Sequence, residues 1–238
     1  MFPLCKGTLR GRLIPALSVF LLALASSAQG TLETLHSFTQ PIPTPKNVNM
    51  ALTGDTNGYL YGVSYQALRH TNGTIFRLKT NGAEYKVLHE FETAQGAAPS
   101  GPLVIGVDGA LYGTTFVGGI SGSGTLFRMQ RSGQGYEVLH HFGEGSDAPR
   151  GPANGLTLQP DGKLYGTTLA GGTFNGGVLY SFDPVQSEVV ILQHFGAASD
   201  GVEPSSPLFA AGDGFFYGTT IGGGEGNGTI FRIRPDGS

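Results

Sequence analysis

Tryptophan is absent from the 238 residues, methionine occurs three times and cysteine once. A lone Cys5 forms no internal disulfide and leaves no cysteine set to hold zinc. Charge is scarce as well: Asp, Glu, Lys and Arg make up 13% of the chain, with 14 basic against 17 acidic residues. The basic footprint of a nucleic-acid-binding protein is therefore missing. Beyond the amino terminus no stretch sets apolar residues at helical spacing between caps, which excludes a helix bundle and an α/β sandwich. Also lacking are HExxH, GxSxG and a P-loop lysine motif, the patterns that place a zinc-bound water, a nucleophilic serine or a nucleotide phosphate. No catalytic residue, cofactor or metal site is expected.

What is present begins with a targeting segment. Within residues 1–28, Lys6, Arg10 and Arg12 precede an apolar run over 13–25, and Ser26-Ser27-Ala28 offers small residues for cleavage, which is the pattern of a secretory signal. The run is too short to cross a bilayer core, which needs roughly 20 residues. Cleavage near Ala28 removes Cys5 and three of the 14 basic residues, so 11 basic and 17 acidic residues remain, a net charge of −6. The expected location is outside the cytoplasm (extracellular, cell surface or periplasm), with no membrane span in the mature chain.

The mature part, 29–238, is a tandem repeat. The marker Leu111-Tyr112-Gly113 recurs as Leu60-Tyr61-Gly62, Leu164-Tyr165-Gly166 and Phe216-Tyr217-Gly218, the tyrosine advancing by 51, 53 and 52 residues. A second marker, Gly124-Thr125-Leu126-Phe127-Arg128, keeps the same spacing at 73–77 and 228–232, and more loosely at 177–181. Units of about 50 residues signal propellers or stacked arrays. Each unit reads as four short strands, A to D, with the first marker in B, the second in C, and D at 85–91, 136–142 and 188–195. Asn57-Gly58, Asp108-Gly109, Asp161-Gly162 and Asp213-Gly214 predict two-residue hairpin turns between A and B. Four antiparallel strands per unit match one propeller blade. The predicted fold is all-β and β-propeller-like, with units at about 39–91, 92–142, 143–195 and 196–238. Residues 31–38 match strand D alone, which predicts an N-terminal strand closing the last blade; the competing reading is a fragment of a longer propeller.

The units at 108–129, DGALYGTTFVGGISGSGTLFRM, and 161–182, DGKLYGTTLAGGTFNGGVLYSF, resemble the GloVer (Gloeobacter/Verrucomicrobia) tandem repeats of secreted bacterial "choice-of-anchor" proteins. The resemblance covers nearly all of the mature chain. It implies a secreted or surface-displayed bacterial repeat protein with no established enzymatic activity and no catalytic residues to carry over.

Several recurring features answer to the fold. His36, His89 and His140 share one strand D position, but on the outermost strands of different blades they diverge, so they read as structural. The glycine-rich segments 118–124, 171–177 and 222–228 join strand to strand, unlike a phosphate loop, which opens a helix. Tyrosines 61, 112, 165 and 217 read as blade packing, and Asp147, Asp200 and Glu203 are too dispersed to define a calcium site. The informative departure lies in the first unit: where the second has Phe116-Val117-Gly118-Gly119-Ile120-Ser121, it has Tyr65-Gln66-Ala67-Leu68-Arg69-His70. Tyr65, Gln66, Arg69 and His70 are therefore the candidate ligand-binding residues, on the face where the B to C and D to A loops emerge near 39–47. The leading expectation is a non-enzymatic binding module for an extracellular glycan or protein. A polysaccharide lyase or hydrolase using Tyr65, Arg69 and His70 is the alternative, and a passive surface spacer is a third.

Overall fold

A computed structural model of the protein describes residues 32–38, 45, 46, 48, 50–67, 72–197 and 200–238. Residues 1–28, read from the sequence as a secretory signal, lie outside the described residues. A short pair, β1 (Pro45–Lys46) with β4 (Gln66–Ala67), accompanies four antiparallel sheets. The first sheet is β2 (Thr53–Gly54), β3 (Tyr59–Ser64), β5 (Thr74–Lys79) and β6 (Lys86–Glu90). In the second, β7 (Ala97–Pro99) and β8 (Val104–Ile105) both pair with β9 (Leu111–Val117), followed by β10 (Thr125–Met129) and β11 (Glu137–His141). The third is β12 (Arg150–Leu158), β13 (Leu164–Ala170), β14 (Val178–Asp183) and β15 (Glu188–His194). In the fourth, β16 (Gly201–Pro204) and β17 (Phe209–Ala210) share one edge of β18 (Phe216–Gly223), and β19 (Ile230–Ile233) takes the other. Apart from a 3₁₀ turn at Thr93–Gln95, no helix occurs among the described residues. This is the all-β, propeller-like architecture that the repeat predicts.

The two sequence markers meet in the middle of each sheet. Gly62 pairs with Phe76, Gly113 with Phe127, Gly166 with Tyr180 and Gly218 with Phe231. Each aromatic ring lies across the bare backbone of its glycine. A Cβ on Gly113 would stand 2.6 Å from Phe127 Cζ and 2.9 Å from Leu103 Cδ2, closer than packed carbon atoms approach. The glycine of one marker is thus the steric counterpart of the aromatic in the other, and the two recur together for that reason.

Packing runs from sheet to sheet. Tyr61, Ile75 and Phe91 of the first unit meet Leu103, Leu111, Phe127 and Met129 of the second in one cluster. Tyr112 and Leu126 meet Leu156, Leu164, Tyr180 and Phe182 in the next, and Tyr165, Leu179 and Phe195 meet Leu208, Phe216 and Ile233 in the third. Both faces of the middle sheets are therefore buried, as the weak alternation of the strands suggests. A bulge adds to the irregularity. Ile75 faces His89 but Phe76 faces Val87, Leu126 faces His140 but Phe127 faces Val138, and Leu179 faces Gln193 but Tyr180 faces Ile191. Leu88, Leu139 and Leu192 are the extra residues, and each bulge shifts the face pattern by one.

Three expectations need correction. The A to B turns are not two-residue turns: Gly58, Gly109, Gly162 and Gly214 have φ of 78°, 77°, 87° and 87°, whereas the residues before them have none above zero. The Gly109 N–H donates to Gly106 O at 2.9 Å and the Gly106 N–H to Ala110 O at 2.9 Å, which is a type I turn closed by a glycine bulge. The aspartate favours it, because Asp108 Oδ1 accepts the Ala110 N–H at 3.1 Å, a bond repeated from Lys163 to Asp161 and from Phe215 to Asp213. Strand A, read as one short strand per unit, is also longer and broken: in the second unit it consists of β7, which follows the 3₁₀ turn, and β8. Finally, residues 32–38 form no strand, and β19 pairs with β18 alone among the described residues. Residues 34–38 lie instead on the first sheet, His36 stacked on Tyr85 at 4.2 Å and Phe38 edge-on to Phe76 at 5.5 Å. Side-chain packing holds them there without a backbone ladder.

Candidate ligand-binding face

The D to A loops are tied to the B to C loops of the preceding unit. The Ala98 N–H donates to Asn72 O at 2.8 Å, Gly151 to Ser123 O at 2.9 Å, and Glu203 to Gly176 O at 2.8 Å. These three donors share a left-handed backbone, φ 54°, 63° and 59°, and each precedes a proline. That proline then lies against the glycine opening the preceding unit's strand C marker: a Cβ on Gly73 would sit 2.6 Å from Pro99 Cδ, one on Gly124 2.7 Å from Pro152 Cδ, and one on Gly177 3.0 Å from Pro204 Cδ. A left-handed alanine or glutamate costs about 1–2 kcal/mol, and the cross-sheet contacts hold it. The loop face is consequently a set of backbones fixed to one another.

Between the second and third units this face opens into a cleft of about 460 Å³. His140, His141 and His194 line it with Glu144, Asp147 and Ile191. Two of the imidazoles are held identically: His141 Nδ1 accepts the Ile120 N–H at 3.3 Å, and His194 Nδ1 accepts the Thr173 N–H at 3.1 Å. Because Nδ1 is the acceptor, the neutral ring carries its proton on Nε2, which makes each ring a donor. Gly119 and Gly172, φ 78° and 77°, allow the loop to pass over these rings, since a Cβ on either would stand 2.8 Å from the imidazole Nδ1. Burial holds the His140 pKa below its ordinary value, against the opposing influence of Glu144. The cleft thus combines ring N–H donors, exposed carboxylate acceptors and an apolar wall. No three His, Cys, Asp or Glu side chains come together as a metal-binding group among the described residues.

Of the residues singled out from sequence, Tyr65 is 39% exposed at the end of β3, beside Ser64, whose Oγ bonds Thr74 Oγ1 at 2.8 Å. Gln66 lies in β4, opposite Lys46 in β1; this puts the divergent loop beside the chain entering the first unit. Arg69 and His70 lie outside the described residues. Sequence reasoning missed His141 and His194, although a paired change marks them. Units two and three carry Gly119 with His141 and Gly172 with His194, whereas the first has Leu68 with Glu90. Glycine and histidine change together because one makes room for the other. Of the repeated tyrosines, Tyr61, Tyr112 and Tyr165 pack between sheets, and hydroxyls of the set reach the turn aspartates: Tyr61 to Asp55 and Tyr112 to Asp108, both at 3.1 Å, and Tyr217 to Asp213 at 2.8 Å.

The family model described as the Gloeobacter/Verrucomicrobia repeat matches residues 21–158 and 144–238. The chain belongs to this repeat family. Among curated proteins no sequence matches it. Solved structures similar to this family member include the nidogen/laminin complex, with a TM-score of 0.55 at 15% identity over 76% of this chain and 57% of that one. TolB from Acinetobacter baumannii gives 0.54 at 19% over 82% and 42%, and a putative TolB from Agrobacterium tumefaciens gives 0.52 at 16% over 79% and 59%. At such identities the likeness is one of fold, that of propeller-like proteins. The chain spans about half the length of these structures. No helix among its described residues is long and apolar enough to cross a membrane.

Proposed function

We propose that this repeat protein is a non-enzymatic binding module, delivered outside the cytoplasm by its signal segment, that holds a hydroxyl-rich glycan on its loop face. The observation carrying this reading is the cleft at His141 and His194. Two rings fixed by main-chain donors offer Nε2–H groups beside the carboxylates of Glu144 and Asp147. Ring N–H donors together with carboxylate acceptors match vicinal hydroxyls, each of which both donates and accepts, better than they match an anion. The binding groups stand on backbones already fixed by cross-sheet hydrogen bonds, so little ordering cost remains for the ligand to meet. Tyr65, Gln66, Arg69 and His70 belong to the same class of loop and form the second part of the surface in this proposal.

Calorimetric titration of the purified protein with a panel of neutral oligosaccharides tests it. At least one should bind, His194→Ala and Asp147→Ala should each weaken binding about tenfold or more, a loss of roughly 1.4 kcal/mol, and no new reducing ends should form. Absence of binding across the panel, or binding indifferent to both substitutions, refutes the cleft. Turnover that disappears in a His70→Ala variant refutes the non-enzymatic reading.

A further inference from the structure

Among the described residues the first and fourth sheets carry, unmatched, the two halves of an interface that recurs three times internally. Each internal junction joins the leading face of one sheet to the trailing face of the next. On leading faces the contact residues are Tyr61 and Ile75, then Val104, Tyr112 and Leu126, then Tyr165 and Leu179; Ile75, Leu126 and Leu179 are all 0% exposed. By repeat position their counterparts on the fourth sheet are Phe209, Tyr217 and Ile230. There Ile230 is 83% and Phe209 67% exposed. The trailing faces are built on Leu103, Leu156 and Leu208, each nearly inaccessible, and the first sheet's counterpart, Leu52, is 47% exposed.

The backbone edges are complementary in the same way. Along the free edge of β19 runs a groove of about 420 Å³, bordered by Gln193, Phe195 and Phe231. In the first and second sheets the corresponding edge is taken by a strand D that carries a His-x-Phe pair. Residues 34–38 are such a strand in sequence, and they already occupy the strand D place with respect to the first sheet. His36 on Tyr85 repeats His89 on Tyr136, and Phe38 against Phe76 repeats Phe91 against Phe127. Leu35 O lies under Gly82 as Leu88 O lies under Gly133.

We infer that two copies of this chain associate head to tail. The first sheet of one, bearing residues 34–38 as an added strand, docks on β19 and the exposed Ile230 and Phe209 of the other. The contact is heterologous, joining two different surfaces, and its energy comes from apolar burial together with strand addition to an open edge. It is independent of the glycan cleft.

Light scattering coupled to gel filtration tests the inference. The wild-type protein should form dimers or longer head-to-tail species that grow with concentration. Ile230→Lys and Leu52→Lys change exposed side chains on opposite end faces. Each should be monomeric with an unchanged circular dichroism spectrum, and an equimolar mixture of the two should yield a heterodimer, because each variant keeps the face that the other has lost. If Ile230→Lys fails to fold, Phe209→Lys takes its place in the mixture. A wild-type protein that is monomeric at every concentration, or a mixture that stays monomeric, overturns the inference. So does association that survives in the double variant Ile230→Lys/Leu52→Lys, which would place the contact elsewhere.

Discussion

Replacing Gly113 by alanine tests the steric pairing of the two markers. The backbone at Gly113 is ordinary extended strand, so conformational freedom is not at stake; on entropy alone, the substitution would stabilise the protein by about 0.4–1 kcal/mol through the unfolded chain. Against that, the new methyl meets Phe127 Cζ at 2.6 Å and Leu103 Cδ2 at 2.9 Å. Phe127 and Leu103 are both buried, so neither side chain has solvent to move into. Overpacking of this kind costs about 1–3 kcal/mol, and the net expectation is a loss of roughly 1–2 kcal/mol. At about 2–4 °C per kcal/mol for a chain of this size, the melting temperature should fall by several degrees. Gly218→Ala should cost less, because its partner Phe231 is only partly buried and can swing aside. In a double-mutant cycle with Phe127→Leu, the two substitutions should couple favourably by at least about 0.5 kcal/mol, since the smaller side chain vacates the methyl's position. Urea denaturation monitored by circular dichroism reads the four proteins of the cycle and Gly218→Ala alike. A Gly113→Ala protein as stable as wild type, or strict additivity in the cycle, would refute the pairing.

Three further outcomes are expected. His89 is stacked on Tyr136 at 3.8 Å, its Nε2 is buried without a partner, and burial lowers its pKa to about 4. The unfolded chain, with an ordinary imidazole near 6.5, binds the proton more readily, so stability should fall as pH drops from about 6.5 towards 4, by up to about 3 kcal/mol; His89→Gln should flatten that part of the curve in pH-dependent urea titrations. Phe38→Ala should destabilise the protein by about 1–3 kcal/mol by uncovering Phe76 and Tyr85, and an unchanged unfolding midpoint would show that the segment does not pack there. Arg131→Ala removes the cation 3.2 Å from Asp55, a carboxylate with only 3% of its side chain accessible, and should cost about 1–2 kcal/mol, readable as a shift in thermal midpoint that Arg131→Lys partly restores.

The period, the sheet count and the strand order were legible because two markers recur at one spacing and because Asp-Gly pairs punctuate them. The turn type was not, since Asp-Gly serves both the two-residue turn and the bulged three-residue turn; the choice falls to the aspartate carboxylate, which bonds the backbone two residues on. Residues 97–99 carry no strand signal in the sequence, because their pairing to β9 depends on a left-handed Ala98 that no propensity favours. The position of residues 34–38 was half legible: their pattern identifies a strand D, but which sheet receives the side chains and which receives the backbone is a tertiary matter. At the candidate site, attention to the divergent loop drew the reading towards Tyr65 and away from the glycine and histidine that change together in the other units.

The contact between each unit's opening proline and the preceding unit's strand C glycine has an evolutionary corollary. Every described junction is made by the same lock, to which the first junction adds the Arg131–Asp55 ion pair. A gene duplication that inserts one more unit therefore adds a ready-made junction and disturbs none of the existing ones, while a substitution improving one lock does nothing for the others. A shared lock makes the whole unit the natural step of length change in such a chain.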